Sequence, residues 1–330
     1  MSSPTTSPRH PLRRHAPATD LDLPRPHPAA PATWALVAAF AVIYVSWGTT
    51  YWAIRKAVHD EQLPPALFGG SRIGLAGLLL LAFQLARGRS LRVTARDAVR
   101  LLGVGILLFV LANWLVTVAQ TRLESGVAAV LVATTPLWMG LFALAWPGGD
   151  RLTARGWLGL LLGLGGVLVL LAPRLADPAG LFRDFSPLLV LGSAASWALG
   201  SLVLRHAPLR LPHLTAAGYQ MTLGGACQVV LGLALGEADR LPAELTAWAA
   251  GTFVYLLIVG SLLGFVAYNW LLGHVPAAKV GTYAYVNPAI ALLLGWLSGE
   301  AVTPALLAGI AIILVGVYLV RDHRLAPAPE

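Results

Sequence analysis

Residues 112–120 read ANWLVTVAQ and residues 268–276 read YNWLLGHVP, so the pair Asn113-Trp114 recurs as Asn269-Trp270 inside two otherwise apolar runs. The chain has only three asparagines, Asn113, Asn269 and Asn287, and all lie in hydrophobic segments rather than in turns. An amide without partners in hydrocarbon costs about 4–8 kcal/mol on a water-to-cyclohexane scale, so each must face protein or water. Two readings meet that requirement: an interhelical hydrogen bond, or a place on the wall of a polar pathway.

The composition around these runs belongs to a membrane. Hydrophobic residues make up 57% and charged residues 12%, with a mean hydropathy of +0.72, whereas about a quarter of residues are charged in soluble proteins. A helix needs roughly 20 mainly apolar residues to cross the hydrocarbon, and ten windows qualify: 34–54, 65–86, 98–120, 126–146, 155–172, 187–205, 214–235, 248–272, 277–297 and 304–320. The chain therefore reads as an all-α polytopic membrane protein with ten transmembrane helices. With a cytoplasmic N-terminus, sixteen of the 23 Lys and Arg residues fall on the inner side, six on the outer side, and Arg72 within a span. The positive-inside rule then places both termini in the cytoplasm. The net charge of +8 thus reflects topology, and nucleic acid is not an expected partner; the lipid bilayer and a small-molecule solute are. Residues 1–33, with eight prolines, read as a disordered cytoplasmic tail rather than a cleaved signal peptide, and 321–330 as a second short tail. Cys227 stands alone, so no internal disulfide is possible. The preference for Arg over Lys suggests a GC-rich bacterial genome.

The Asn-Trp pair is one landmark of a longer internal repeat. Ser46-Trp47 and Arg55 correspond to Ser196-Trp197 and Arg205 at an offset of 150, and Gly69 to Gly77, with Arg72, to Ala217 to Gly225, with Gln220, at 148. Asn113-Trp114 matches Asn269-Trp270 at 156, Thr135-Pro136 matches Asn287-Pro288 at 152, and Thr153, Gly159 and Gly166 match Thr303, Gly309 and Gly316 at 150. Residues 34–173 and 187–320 form the two copies. Five spans per copy reverse the second relative to the first, so the halves are expected to be inverted repeats, the arrangement in which transporters place a solute site near the midplane. Asn113 and Asn269 would then be symmetry mates facing one cavity.

Trp47 and Tyr51 share a helix face, as do Tyr283 and Asn287, four residues apart. Pro136 and Pro288 interrupt symmetry-related helices, either as static kinks or as hinges. Arg72 lies about 10 Å into the second span at 1.5 Å per residue; it either snorkels outward or packs against carbonyls, or it anchors a carboxylate solute, with Gln220 as its counterpart. Gly156, Gly159, Gly163 and Gly166 form a stripe for close helix packing, not a phosphate loop. No Asp, Glu or His lies near the middle of a span, and Glu124, Glu300 and His274 stand at span ends. Uniport or indirect coupling is therefore expected ahead of proton antiport. No nucleophile, paired-carboxylate or metal-ligand constellation is present, so no cofactor or metal is expected and an enzyme is disfavoured.

With these residues in view, the chain resembles the drug/metabolite transporter superfamily, specifically the ten-helix EamA-type exporters of bacterial inner membranes. The resemblance is carried by SWGTTYWAIRKAV at 46–58 with Pro64-Pro65 after it, GGSRIGLAG at 69–77, Ala133 to Pro136, and TYAYVNPAIALLLGWLSGEAVT at 282–303, including Gly299-Glu300. It implies two EamA domains and a central cavity built mainly from spans 1, 3, 4, 6, 8 and 9, exporting amino acids, other small metabolites, pigments or drugs. Two positions depart from the pattern: Ile73 stands where Phe commonly follows the arginine, and Asn287 where Glu often precedes the proline. The second removes a plausible coupling carboxylate.

These readings converge on an exporter of small amphipathic metabolites working by alternating access. Asn113, Asn269 and Asn287 would hydrogen-bond the solute, with Trp47, Trp114, Trp197, Trp270, Tyr51, Tyr283 and Tyr285 as candidate walls. The alternative is a non-transporting membrane scaffold or assembly factor in which the amides only join helices.

Overall fold

A computed structural model describes residues 31–145, 153–175, 184–207, 209, 211–275, 280 and 282–321. Both tails expected from the sequence lie almost wholly outside these residues. No strand occurs among the described residues. Helix α1 is Thr33–Arg55, extended by a π-helical stretch at Lys56–Asp60, and α2 is Pro65–Ala86. Helix α3 comprises Ala95–Gly105, π-helical Ile106–Asn113 and Trp114–Ala119. Helix α4 is broken into Ser125–Val132 and Thr135–Ala145. Then follow α5 (Ala154–Leu175), α6 (Ser186–His206) and α7 (His213–Ala234). Helix α8 comprises Ala247–Tyr255, π-helical Leu256–Leu263 and Gly264–His274, and it is followed by α9 (Tyr283–Leu297) and α10 (Pro304–Arg321).

Among the described residues, α1–α6 and α8 supply seven helical stretches long and apolar enough to cross a membrane, and α9 and α10 are shorter apolar helices. Helix α7 is 22 residues long but carries Thr215, Tyr219, Gln220, Thr222 and Gln228, which lower its hydropathy. The expected ninth window begins at 277, and residues 277–279 and 281 lie outside the described residues.

Helix starts follow from local chemistry. Thr94 Oγ1 accepts the Asp97 N–H at the start of α3, and Thr246 Oγ1 accepts the Ala249 N–H at the start of α8. Helix α2 starts at Pro64-Pro65, where a missing N–H costs nothing. Its next two donors, Ala66 N–H and Leu67 N–H, reach the buried carboxylate of Glu237, both 2.9 Å from Oε2.

The core is apolar as in a soluble domain, but so is much of the outer surface. Leu158, Leu161, Leu164 and Leu168 of α5 are exposed, while Gly159, Gly163 and Gly166 turn inward to close approaches. Association in lipid gains little from burying Leu, so small residues that let backbones meet carry the interfaces. A Cβ on Gly225 of α7 would strike the backbone of Gly74 of α2, and one on Gly77 would meet Thr222 N. Since Gly74 and Thr222 correspond at the offset of 148, as do Gly77 and Gly225, these two contacts exchange under the repeat. Helices α5 and α10 behave alike: Gly159 approaches Gly316, and Gly166 approaches Gly309. The stripe read from the sequence thus packs against its own copy.

Candidate functional site

The helices enclose a cavity of about 510 Å³, within the range of small-molecule pockets. Its walls come from α1, α2, α3, α4, α6, α8 and α9, with Val320 of α10. Helical periodicity explains which side chains reach it. Ser193, Trp197, Ser201 and Arg205 recur every four residues on α6, and Ser261, Phe265 and Tyr268 form one stripe on α8.

The aromatic walls interlock. Trp47 stands 4.9 Å from Tyr283 and 5.2 Å from Tyr268 by ring centroids, and its Nε1 donates to Gly260 O at 3.2 Å. Trp47 meets Phe265 edge-on at 5.7 Å, and Phe109 meets Trp197 edge-on at 6.5 Å. Trp47 and Trp197 correspond at 150, Phe109 and Phe265 at 156, so this contact also occurs twice. Arg72 is buried; its Nη1 donates to Ser261 Oγ at 2.8 Å. The snorkelling alternative for Arg72 therefore does not describe this structure. The amide oxygens of Asn113 and Asn287 accept no hydrogen bond among the described residues. Among the described residues, the lining contains two arginines, Arg72 and Arg205, and no acidic residue.

Of the residues singled out from the sequence, Trp47, Tyr51, Asn113, Trp197, Tyr283, Asn287, Arg72, Pro136 and Pro288 line the cavity. The others lie elsewhere. Successive helical residues are about 100° apart, so an adjacent Asn-Trp pair cannot share one face. Asn113 turns inward while Trp114 borders a second hollow with Pro64, Pro65 and Glu237. On α8 it is Tyr268 that turns inward; Asn269 Nδ2 donates to Phe265 O of its own helix at 2.8 Å, and Trp270 stacks on His274. Tyr285 packs against the hydrophobic core under α4 and α10, and Gln220 is buried without lining the cavity. The expectation that Asn113 and Asn269 face one cavity is thus met by Asn113 alone. Pro136 follows the break in α4, whereas Pro288 lies within an unbroken α9.

Phe109, Phe265, Tyr268 and Ser261 were not anticipated, although Phe109 and Phe265 sit four residues before each Asn-Trp pair and share its offset. Gln228 was missed too. It is fully buried, neither end of its amide has a partner among the described residues, and a Cβ on Gly69 would run into it and come within 3.1 Å of Asn113 Oδ1.

Next to the lining residues Tyr51 and Ile54, α1 carries a cluster of polar contacts. Arg55 Nε lies 3.2 Å from Glu300 Oε1, and Glu300 Oε2 accepts the Ser125 hydroxyl at 2.9 Å and the Gly126 N–H at 3.3 Å. Arg55 Nη1 also donates to Leu123 O at 2.7 Å, and Gln120 Nε2 to Tyr51 O at 2.6 Å. The knot joins α1, the α3–α4 turn and the α9–α10 turn. The lining also reaches Arg205, which is exposed.

The EamA-like transporter family matches residues 32–172 and again 185–321. The chain belongs to the EamA-like transporter family. Among relatives of this EamA protein, an uncharacterized inner membrane transporter of Escherichia coli K12, YedA, is 34% identical over 288 residues, covering 86% of this chain and 90% of the relative. The uncharacterized transporter YvbV of Bacillus subtilis is 30% identical over 293 residues, covering 88% and 92%. A probable amino-acid metabolite efflux pump of Salmonella typhimurium is 27% identical over 291 residues, covering 84% and 92%. A crystal structure with 22% identity overlays with a TM-score of 0.61, covering 88% of this chain and 98% of its own, a likeness of fold. The EamA chain is accordingly a multi-pass membrane transporter and not an enzyme.

Proposed function

We propose that this transporter exports small amphipathic metabolites across a bacterial inner membrane by alternating access between two inverted five-helix halves, all ten helices crossing the bilayer and both termini cytoplasmic. The observation that carries the reading is the cavity itself, which is lined from both matched segments and combines an aromatic wall with amide oxygens that have no partner among the described residues. Such a lining suits a solute with an apolar body and a polar head. The exchanged contacts of α2 with α7 and of α5 with α10 support inversion, and the name of the Salmonella relative supports efflux.

The Arg55–Glu300 knot serves in this mechanism as a closed gate at one end. Opening requires it to part while the opposite end closes on the solute, and the break before Pro136 lets the two parts of α4 tilt separately. Uptake into inside-out vesicles tests the reading: vesicles holding the wild type, or a folded Asn113→Ala/Asn269→Ala variant, are offered a mixed metabolite pool, with and without a protonophore. Mass spectrometry is expected to find at least one solute enriched by the wild type alone. Contents matching those of empty membranes across a broad pool would overturn export.

A further inference from the structure

The lining of the cavity has a charge sign. Arg72 enters it from α2, buried in the protein, and Arg205 lies toward its exposed end; no Asp or Glu is among the described lining residues. Arg72 is held by one neutral bond, from Nη1 to Ser261 Oγ, while its Nε has no partner, and among the described residues no carboxylate reaches it. Two arginines elsewhere in the fold do face a carboxylate: Arg55 meets Glu300 and Arg100 meets Asp97. A buried guanidinium that keeps open donors beside a cavity is a preformed half of an ion pair, because its planar fork matches a carboxylate and a buried charge gains most when compensated.

We infer that the transported solute is an organic anion whose carboxylate is taken by Arg72, its apolar body lying against Trp47, Phe265 and Tyr268. This rests on the transport reading above and assigns the charge class of its solute. A cation would meet positive charge with no acid among the described lining residues to compensate it, and a neutral solute could accept a hydrogen bond but would leave the buried charge uncompensated. Ser261 is a positioning residue: its hydroxyl fixes one edge of the fork and leaves the rest to the solute.

Equilibrium binding to the purified, full-length protein in detergent tests the inference independently of transport. The probes are two matched series, phenylacetate with phenylacetamide and phenethylamine, and indole-3-acetate with indole-3-acetamide and tryptamine, read by calorimetry and by thermal shift. Both acids are expected to bind at least about tenfold more tightly than their amides and amines, the scale of a charge-assisted pair. Arg72→Gln should erase that preference, and Arg72→Lys should keep its order at lower affinity. The ranking in the wild type stands without any variant, so a misfolded Arg72→Gln does not shelter the inference. Amides or amines binding as well as the acids, binding by none of the six, or an undiminished preference in folded Arg72→Gln would each overturn it. Vesicles that enrich only neutral or cationic solutes would overturn it while leaving transport in place. An acid preference in a protein that moves nothing would support the site and defeat the transport reading.

Discussion

Replacing Glu300 by Gln removes the charge facing Arg55 while keeping an oxygen for the Ser125 hydroxyl and the Gly126 N–H. At 3.2 Å Coulomb's law gives about 5 kcal/mol with an effective dielectric of about 20. The two side chains are 16% and 11% exposed, so solvent screens them weakly. Part of the loss is recovered, because Arg55 keeps its bond to Leu123 O and meets an amide dipole in place of a charge. A charge-assisted hydrogen bond is worth about 1.5–3 kcal/mol net, so the tied end loses about 2 kcal/mol, and the ratio of parted to tied molecules rises roughly 30-fold. Thr50→Cys in a Cys227→Ser background places one thiol in the cavity, and a membrane-impermeant maleimide supplied from the Arg55 side reads its accessibility. Labelling should accelerate by up to about 30-fold in Glu300→Gln. Arg55→Gln, which also gives up the bond to Leu123 O, should accelerate it at least as much, and the double variant should go no further than Arg55→Gln alone, since the pair acts as a unit. Unchanged labelling in both single variants, or effects that add in the double, would refute the reasoning.

Gly225→Leu drives a side chain into the backbone of Gly74, and a loss of at least about 3 kcal/mol is expected from overpacking against atoms that cannot move aside; monodisperse protein at wild-type yield in size-exclusion chromatography would count against the α2–α7 seam. Asn113→Ala alone should lower vesicle uptake several-fold with little change in Tm, whereas Asn269→Ala, whose amide is satisfied within its own helix, should transport near the wild-type rate; equal losses would reject the assignment of faces. Glu237→Ala strips the carboxylate from the start of α2 and should cost about 1–2 kcal/mol, on the scale of a lost helix cap, seen as a lower Tm that Glu237→Gln partly restores; an unchanged Tm would show the cap to be idle.

Much of this architecture can be read before any coordinates. Hydropathy finds the helical windows because bilayer thickness sets their length, and the stripe of Gly159, Gly163 and Gly166 reads as a packing seam because only small residues at that spacing let backbones touch. What α5 packs against is less direct, although the repeat hints at α10. Facing is harder. The Asn-Trp repeat correctly marks α3 and α8, but period alone leaves the rotation of each helix free, and tertiary packing turns Asn113 and Tyr268 inward rather than both asparagines. Arg72 shows the same limit: depth in a span leaves open whether the side chain reaches outward or turns inward, and its burial against Ser261 of α8 appears only in the fold. Glu300 reads as a residue at a span end, since its ion pair with Arg55 spans most of the sequence and no local pattern links them. Gln228 and Glu237 stayed hidden for a similar reason, as their partners or neighbours lie on α2 and α3, far away in the chain.

The central claim is that solute passes through the cavity between the halves, and blocking that space tests it most directly. Ser193 lies on the lining stripe of α6, so Ser193→Cys in the Cys227→Ser background offers one thiol there, and a bulky maleimide fills the space once it reacts. The account predicts that complete modification, verified by mass spectrometry, lowers uptake of the vesicle-identified solute to the level of empty membranes, and that the solute slows the modification. Full uptake by completely modified protein would contradict it.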